Sequence, residues 1–202
     1  MEIPSFDEVA RFHGHRCPGL ALGYRAAEAG LAELSVSRPA DEELVCIVEN
    51  DACGVDAVQY AAGCTLGKGN LIYRDYGKHA YTFLDRRTGK AVRVSQRPEF
   101  SSGRIDPRAS ELRAKVNAGT ATSEEQREYR SRSDQVIAAI LSMPAAEIFT
   151  IRSVSEKPPE EARIFSSVPC ARCGELVSES RARICKGKVV CIPCSEEYTR
   201  GW

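Results

Sequence analysis

Tyr81-Thr82-Phe83-Leu84-Asp85 and Ala91-Val92-Arg93-Val94-Ser95 are two strand-like runs joined by a turn through Arg87-Thr88-Gly89-Lys90. Two runs rich in β-branched and aromatic residues, linked by a short segment containing glycine, predict an antiparallel hairpin. Outward from it, Leu44-Val45-Cys46-Ile47-Val48 is apolar enough to be a central strand, with further strands expected over 71–76 and 147–154. Helices are expected on either side of these strands. Ser5-Phe6-Asp7-Glu8 has the spacing of a capping box and opens a first helix that ends near Gly14. Pro18 opens a second helix, in which Leu20, Tyr24, Ala27, Leu31 and Leu34 recur at helical spacing and should face the core. Residues 55–62, 107–117 and 123–142 read as further helices, the last with a capping box at Ser123 and Gln126. Strands bracketed by helix pairs predict an α+β fold, a mixed or antiparallel sheet with flanking helices, rather than a doubly wound sheet.

The 202 residues carry 28 basic and 28 acidic side chains, a formal net charge of zero. No whole-molecule field draws such a chain to nucleic acid or to an anionic membrane. The N-terminus lacks the basic start and apolar run of a signal peptide, and Val136-Ile137-Ala138-Ala139-Ile140-Leu141 is too short to span a bilayer. The expectation is therefore a cytoplasmic protein. In that reducing compartment the nine cysteines are metal ligands or reactive thiols before they are disulfides.

Past Lys157-Pro158-Pro159-Glu160-Glu161, read as a linker, Cys170-x-x-Cys173 and Cys191-x-x-Cys194 stand seventeen residues apart. That is the spacing of paired zinc knuckles, each supplying two thiolates from a tight turn. Four thiolates close a tetrahedral shell, so the ion folds the segment and does no chemistry. Cys185 lies outside both pairs and is read as a bystander. The expected domains are residues 1–156, an α+β unit, and 163–202, a four-cysteine zinc ribbon.

A second constellation lies in Phe12-His13-Gly14-His15-Arg16-Cys17-Pro18-Gly19. Imidazoles and a thiol this close suit zinc or another soft metal. Cys17 stands at a helix start, where the dipole and free amides favour the thiolate. Cys53 repeats that arrangement before Gly54, and Cys64 follows the helix it opens. His15, Cys17 and Cys53 are the expected cluster, as metal ligands or as a catalytic thiol with its acid–base partner, and Cys64 is a neighbour that contacts a cofactor. The loop Gly63-Cys64-Thr65-Leu66-Gly67-Lys68-Gly69-Asn70 is one residue short of a phosphate-binding P-loop and lacks its Ser or Thr. Two readings stay open for it: a small anion held by Lys68 and backbone amides, or a tight turn leading into a strand. Cys46, inside an apolar run, is a core residue.

Three motifs in order resemble the FmdE family, named for a subunit of formylmethanofuran dehydrogenase. They are Phe12-His13-Gly14-His15-Arg16-Cys17-Pro18-Gly19-Leu20, Asp51-Ala52-Cys53-Gly54-Val55-Asp56-Ala57-Val58-Gln59, and the glycine-rich loop through Asn70 and Leu71. The resemblance implies an α+β core followed by a zinc ribbon, a homodimer with intertwined protomers, and a metal-associated cleft using the His-Gly-His-x-Cys and Cys-Gly-x-Asp motifs. It also implies a place beside a molybdenum or tungsten oxidoreductase in anaerobes. Three functions follow as expectations. The first is a metal-binding accessory protein for such an oxidoreductase or its cofactor. The second is a stand-alone enzyme with Cys17 or Cys53 as nucleophile, His15 as acid or base and Lys68 as anion clamp. The third is a zinc-ribbon regulatory module on nucleic acid, which the absence of a basic stripe places last.

Overall fold

Ala80–Asp85 (β3) and Ala91–Gln96 (β4) pair antiparallel, with Phe83 opposite Val92 and Tyr81 opposite Val94, so the hairpin forms as its sequence predicts. The computed structural model describes residues 3–196 and divides into two units, Met1–Glu161 and Ala162–Trp202. In the first unit, helices α1 (Phe6–His13) and α2 (Pro18–Leu34) precede β1 (Leu44–Val48), α3 (Gly54–Ala62) and β2 (Leu71–Tyr73). After the β3–β4 hairpin come α4 (Ser102–Ile105), α5 (Pro107–Asn117), α6 (Ser123–Ser142), α7 (Ala145–Ile148) and β5 (Phe149–Val154). The five strands form one sheet in the order β2-β1-β3-β4-β5. Only β1–β2 is parallel, joined through α3; the other pairs are antiparallel. The unit is α+β.

The two faces of the sheet differ. Leu44, Cys46 and Val48 of β1, with Phe83, Val92 and Val94, join the large core that the helices complete. All five α2 residues predicted to face inward, Leu20, Tyr24, Ala27, Leu31 and Leu34, lie in it. Alternation of side chains along a strand puts Val45, Ile47, Leu84 and Ala91 on the other face as a smaller cluster. Helix α2 lies close to the sheet because Gly30 has no side chain: a Cβ there would meet the Phe83 ring at 2.2 Å.

Local details depart from the sequence reading at four places. The α6 box forms one residue earlier than Ser123 and Gln126. Thr122 is the N-cap, its hydroxyl accepting from the Glu125 amide at 3.1 Å while the Glu125 carboxylate accepts from the Thr122 amide at 3.0 Å. A carboxylate is the stronger acceptor for that orphan donor, and it wins over Gln126. Strand β2 stops at Tyr73, where Arg74 turns out to pair with Glu156. Residues 147–148 belong to the helical turn α7, so the last strand starts at Phe149. The short helix α4, with Ser101 as its N-cap, had no sequence signal beyond that serine. Among the described residues, no helix is long and apolar enough to cross a membrane.

The second unit is two small hairpins, β6 (Ser167–Pro169) with β7 (Leu176–Ser178) and β8 (Arg183–Cys185) with β9 (Lys188–Val190). The β8–β9 turn uses Lys186 and Gly187, both at positive φ of 51° and 76°, the backbone that a two-residue hairpin loop requires. Residues 197–202 of the expected ribbon lie outside the described residues.

Candidate metal centres

The four cysteines of the ribbon converge. Their sulfur atoms lie within 4.8 Å of one another, and Cys173 Sγ is 3.9 Å from Cys191 Sγ. Four sulfurs at about 2.3 Å from one tetrahedral ion stand roughly 3.8 Å apart, so the set fits zinc without rearrangement. Cys170 Sγ accepts from the Arg172 and Cys191 amides at 3.4 and 3.3 Å. Amides from Cys173, Cys191 and Arg172 draw the Cys170 thiol down to about 6, whereas crowding by Cys191 pushes Cys194 up to about 12. Three or four thiolates in this space need a cation among them, and this is a zinc site. Cys185 stands outside it, with Arg172 donating toward its sulfur at 3.7 Å.

The N-terminal centre is built by the crossing of two helices. Gly23 of α2 meets Gly54 of α3 so closely that a Cβ on Gly23 would lie 2.2 Å from the Gly54 carbonyl oxygen. One turn earlier, Gly19 lies against Cys53 Cβ and Cys17 Sγ, at 3.6 and 3.9 Å from where its own Cβ would be. Only glycine allows backbones this near. The approach brings Cys17, the N-cap of α2, beside Cys53, the N-cap of α3. Cys17 sits in extended backbone (φ −151°, ψ 159°) and its sulfur accepts from the Leu20 amide at 3.3 Å. Helix α1 ends in His13, Gly14 takes the left-handed conformation (φ 92°), and the chain turns through His15 toward Cys17.

Ligand atoms of His13, His15, Cys17 and Cys53 consequently lie within 4.8 Å of one another. The two imidazoles stack at 4.4 Å between ring centroids. His13 Nδ1 lies 2.7 Å from Asp56 Oδ2, which assigns the proton between them and leaves Nε2 as the free lone pair. That Nε2 is buried and has no hydrogen-bond partner. Two imidazole nitrogens and two sulfurs are a fitting donor set for zinc or a similar borderline-soft ion, and a carboxylate behind a ligating histidine is the usual outer support. His15 is solvent-exposed, and His13, Cys53 and Asp56 open onto a cleft of about 470 Å³ that Asn50, Leu66 and Tyr73 also line.

Three placements correct the sequence reading. The helix start at Cys17 predicts a thiolate, but burial pushes its thiol up to about 11, and neighbouring Cys53 adds to this against the Leu20 amide. Desolvation outweighs the helix N-terminus. Cys64 does not reach the cluster: it is fully buried, and its sulfur donates to the Leu44 carbonyl at 3.5 Å. Its thiol is raised to about 12 by burial, as expected of a core residue rather than of a cofactor contact. The glycine-rich loop is a strand-leading turn. The Thr65 amide is held by Asn70 Oδ1, the Lys68 amide by Thr65 Oγ1 and the Gly69 amide by the Leu66 carbonyl, so these amides are not free for an anion. Lys68 Nζ donates to the Asp41 carbonyl at 3.2 Å and is not among the residues lining the cleft at Cys53. His13 and Asp56 are the members that sequence reasoning left out of the centre. Their signal was the proximity of His13 to His15 and of Asp56 to Cys53 within two short motifs.

A family model described as FmdE, molybdenum formylmethanofuran dehydrogenase operon, matches residues 12–150, and one for the prokaryotic dksA/traR C4-type zinc finger matches residues 163–200. A protein of Archaeoglobus fulgidus described as a probable S-adenosyl-L-methionine-binding protein is 36% identical over 192 residues, 93% of this chain. The chain spans 51% of that relative's length. Among solved structures, an FmdE-like protein of tungsten formylmethanofuran dehydrogenase type from Syntrophus aciditrophicus shares the fold, with a TM-score of 0.61, 23% identity and 96% of each chain covered.

Proposed function

The chain belongs to the FmdE family, and from that premise we propose that it is a metal-binding accessory protein of the cytoplasm, serving a molybdenum or tungsten oxidoreductase or its cofactor. The ribbon zinc holds the C-terminal unit together. The working centre is His13, His15, Cys17 and Cys53, with Asp56 positioning His13. One observation carries this reading: His13 Nε2 is buried without a partner while Asp56 engages the opposite ring nitrogen. An orphaned buried acceptor is costly, and a metal ion is the partner that the surrounding sulfurs also call for. When bound, such an ion supplies a Lewis-acid centre at the edge of the cleft. The protein's own groups hold it, keep His15 on the solvent side and wall the cleft with Leu66 and Tyr73. A homodimer is part of the same reading.

The accessory role is tested in the source organism. Deleting the gene lowers the specific activity of the molybdenum or tungsten oxidoreductase, and the wild-type chain restores it while Cys17→Ser/Cys53→Ser does not. Unchanged activity after deletion contradicts the role.

A second reading rests on the Archaeoglobus relative and on the acidic lining of the cleft. Asp51 and Asp56, with Asn50, suit a sulfonium cation and ribose hydroxyls, and Leu66, Leu71 and Tyr73 suit an adenine ring. Calorimetric titration with S-adenosylmethionine decides it. Saturable binding weakened by Asp51→Asn supports it, and absence of heat contradicts it. A nucleophilic role for Cys17 has less support, since burial keeps its thiol protonated at neutral pH in the absence of a cation.

A further inference from the structure

A second cleft, of about 420 Å³, lies at the polar end of the sheet face that carries Val45 and Ile47, and its walls are basic. Arg93 of β4 and Arg152 of β5 are register partners, so both side chains stand on this face. Lys78, His79 and Arg97 come from the segments that flank β3 and β4 and line the same cleft. The one buried carboxylate close by, Glu49, is already engaged by both terminal nitrogens of Arg93. Arg97 faces Glu99 at 3.7 Å, a loose pair with Glu99 exposed. Lys78 and Arg152 form no ion pair among the described residues. In a chain of zero net charge, this concentration of unneutralised cations in a concavity is not a background property of the surface.

The cleft is also preorganised. The Lys78 amide donates to the Glu49 carbonyl at 2.9 Å, Asn50 Nδ2 donates to the Lys78 carbonyl at 2.7 Å, and the Gln96 amide donates to the His79 carbonyl at 2.9 Å. The Arg97 amide is bonded to the Ile148 carbonyl at 2.9 Å, and its guanidinium reaches the Ala146 carbonyl. Side chains mounted on pinned backbone lose little freedom on binding, which favours a bound anion. Planar guanidinium groups match the oxygens of a phosphate.

We propose that this cleft binds the phosphate group of a phosphorylated small molecule, through Lys78, His79, Arg97 and Arg152. It is separate from the His13/Cys53 cleft and does not depend on the metal there. Its size and concavity suit a small molecule, whereas a nucleic-acid strand needs an extended basic track, and the face beyond Arg93 is apolar at Val45, Ile47, Leu84 and Ala91.

The test is a titration of zinc-loaded full-length protein with inorganic phosphate, followed by amide chemical shifts in low-salt buffer. The expected result is saturable shifts confined to residues 78–80, 96–98 and 152, with a dissociation constant on the order of 1 mM. Arg97→Gln/Arg152→Gln should weaken binding at least tenfold while leaving all other amide shifts in place. Shifts that do not saturate, that persist in the double variant, or that spread equally over the basic residues 172–188 of the ribbon overturn the proposal. So does a single-stranded oligonucleotide that binds this face with steep salt dependence when phosphate does not.

Discussion

His13 and Asp56, 43 positions apart, meet through a 2.7 Å contact between Nδ1 and Oδ2 that joins the end of α1 to the first turn of α3. The contact sets which imidazole nitrogen is free and holds the ring in place. Asp56→Asn keeps the shape but removes the charge that makes His13 a better donor. It should weaken metal binding at the N-terminal centre roughly 10–100-fold, measured by competition with a chromogenic chelator. The metal-free protein should unfold at an unchanged denaturant midpoint, which separates positioning from a structural role. Equal metal affinity in the two proteins contradicts the assignment.

The Gly23–Gly54 crossing makes a second prediction. Gly23→Ala drives a Cβ to 2.2 Å from the Gly54 carbonyl oxygen, and rigid backbone must move. The expected cost is roughly 1–3 kcal/mol, together with weaker metal retention as Cys17 and Cys53 part. Gly67→Ala, whose Cβ would meet nothing within 4 Å, is the control and should change neither. Denaturant titration and metal content of both variants check the pair.

What the sequence made legible follows from the range of the interactions involved. The hairpin, the apolar stripe of α2 and the Ser5–Glu8 box are settled by neighbours a few residues apart. The four ribbon cysteines are legible because zinc imposes its own spacing. The shift of the α6 box arose because Thr122-x-x-Glu125 and Ser123-x-x-Gln126 satisfy the same local rule, and acceptor strength decides between them. Parallel pairing of β1 with β2 has no signature in a three-residue strand. Likewise, nothing local to Cys64 tells whether the end of α3 turns its thiol inward to Leu44 or outward to a ligand. The thiol level of Cys17 escapes a sequence reading because helix-start electrostatics are readable from position, whereas burial at the crossing with α3 is not.

Glu49 and Arg93 form a nearly buried ion pair on the sheet. The Arg93 guanidinium holds the Glu49 carboxyl below its ordinary value of 4.5. A carboxyl depressed by folding contributes stability that is complete above the unfolded value and is lost as pH falls through the folded one. Wild-type stability should therefore drop below about pH 4.5, and Glu49→Gln should flatten that part of the profile. At neutral pH the variant leaves Arg93 uncompensated and should be less stable by roughly 2–3 kcal/mol. Urea midpoints from about pH 6 down to about pH 3 test both statements; parallel profiles contradict them.

Metal stoichiometry bears most directly on the two centres. Full-length protein purified without oxygen, the Cys17→Ser/Cys53→Ser variant and the Cys173→Ser/Cys191→Ser variant are compared by mass-spectrometric metal analysis. Two ligand sets, one in each unit, predict two ions per chain in the wild type and one in each variant. One ion per chain in the wild type, unaffected by Cys17→Ser/Cys53→Ser, would contradict a metal centre at His13, His15, Cys17 and Cys53.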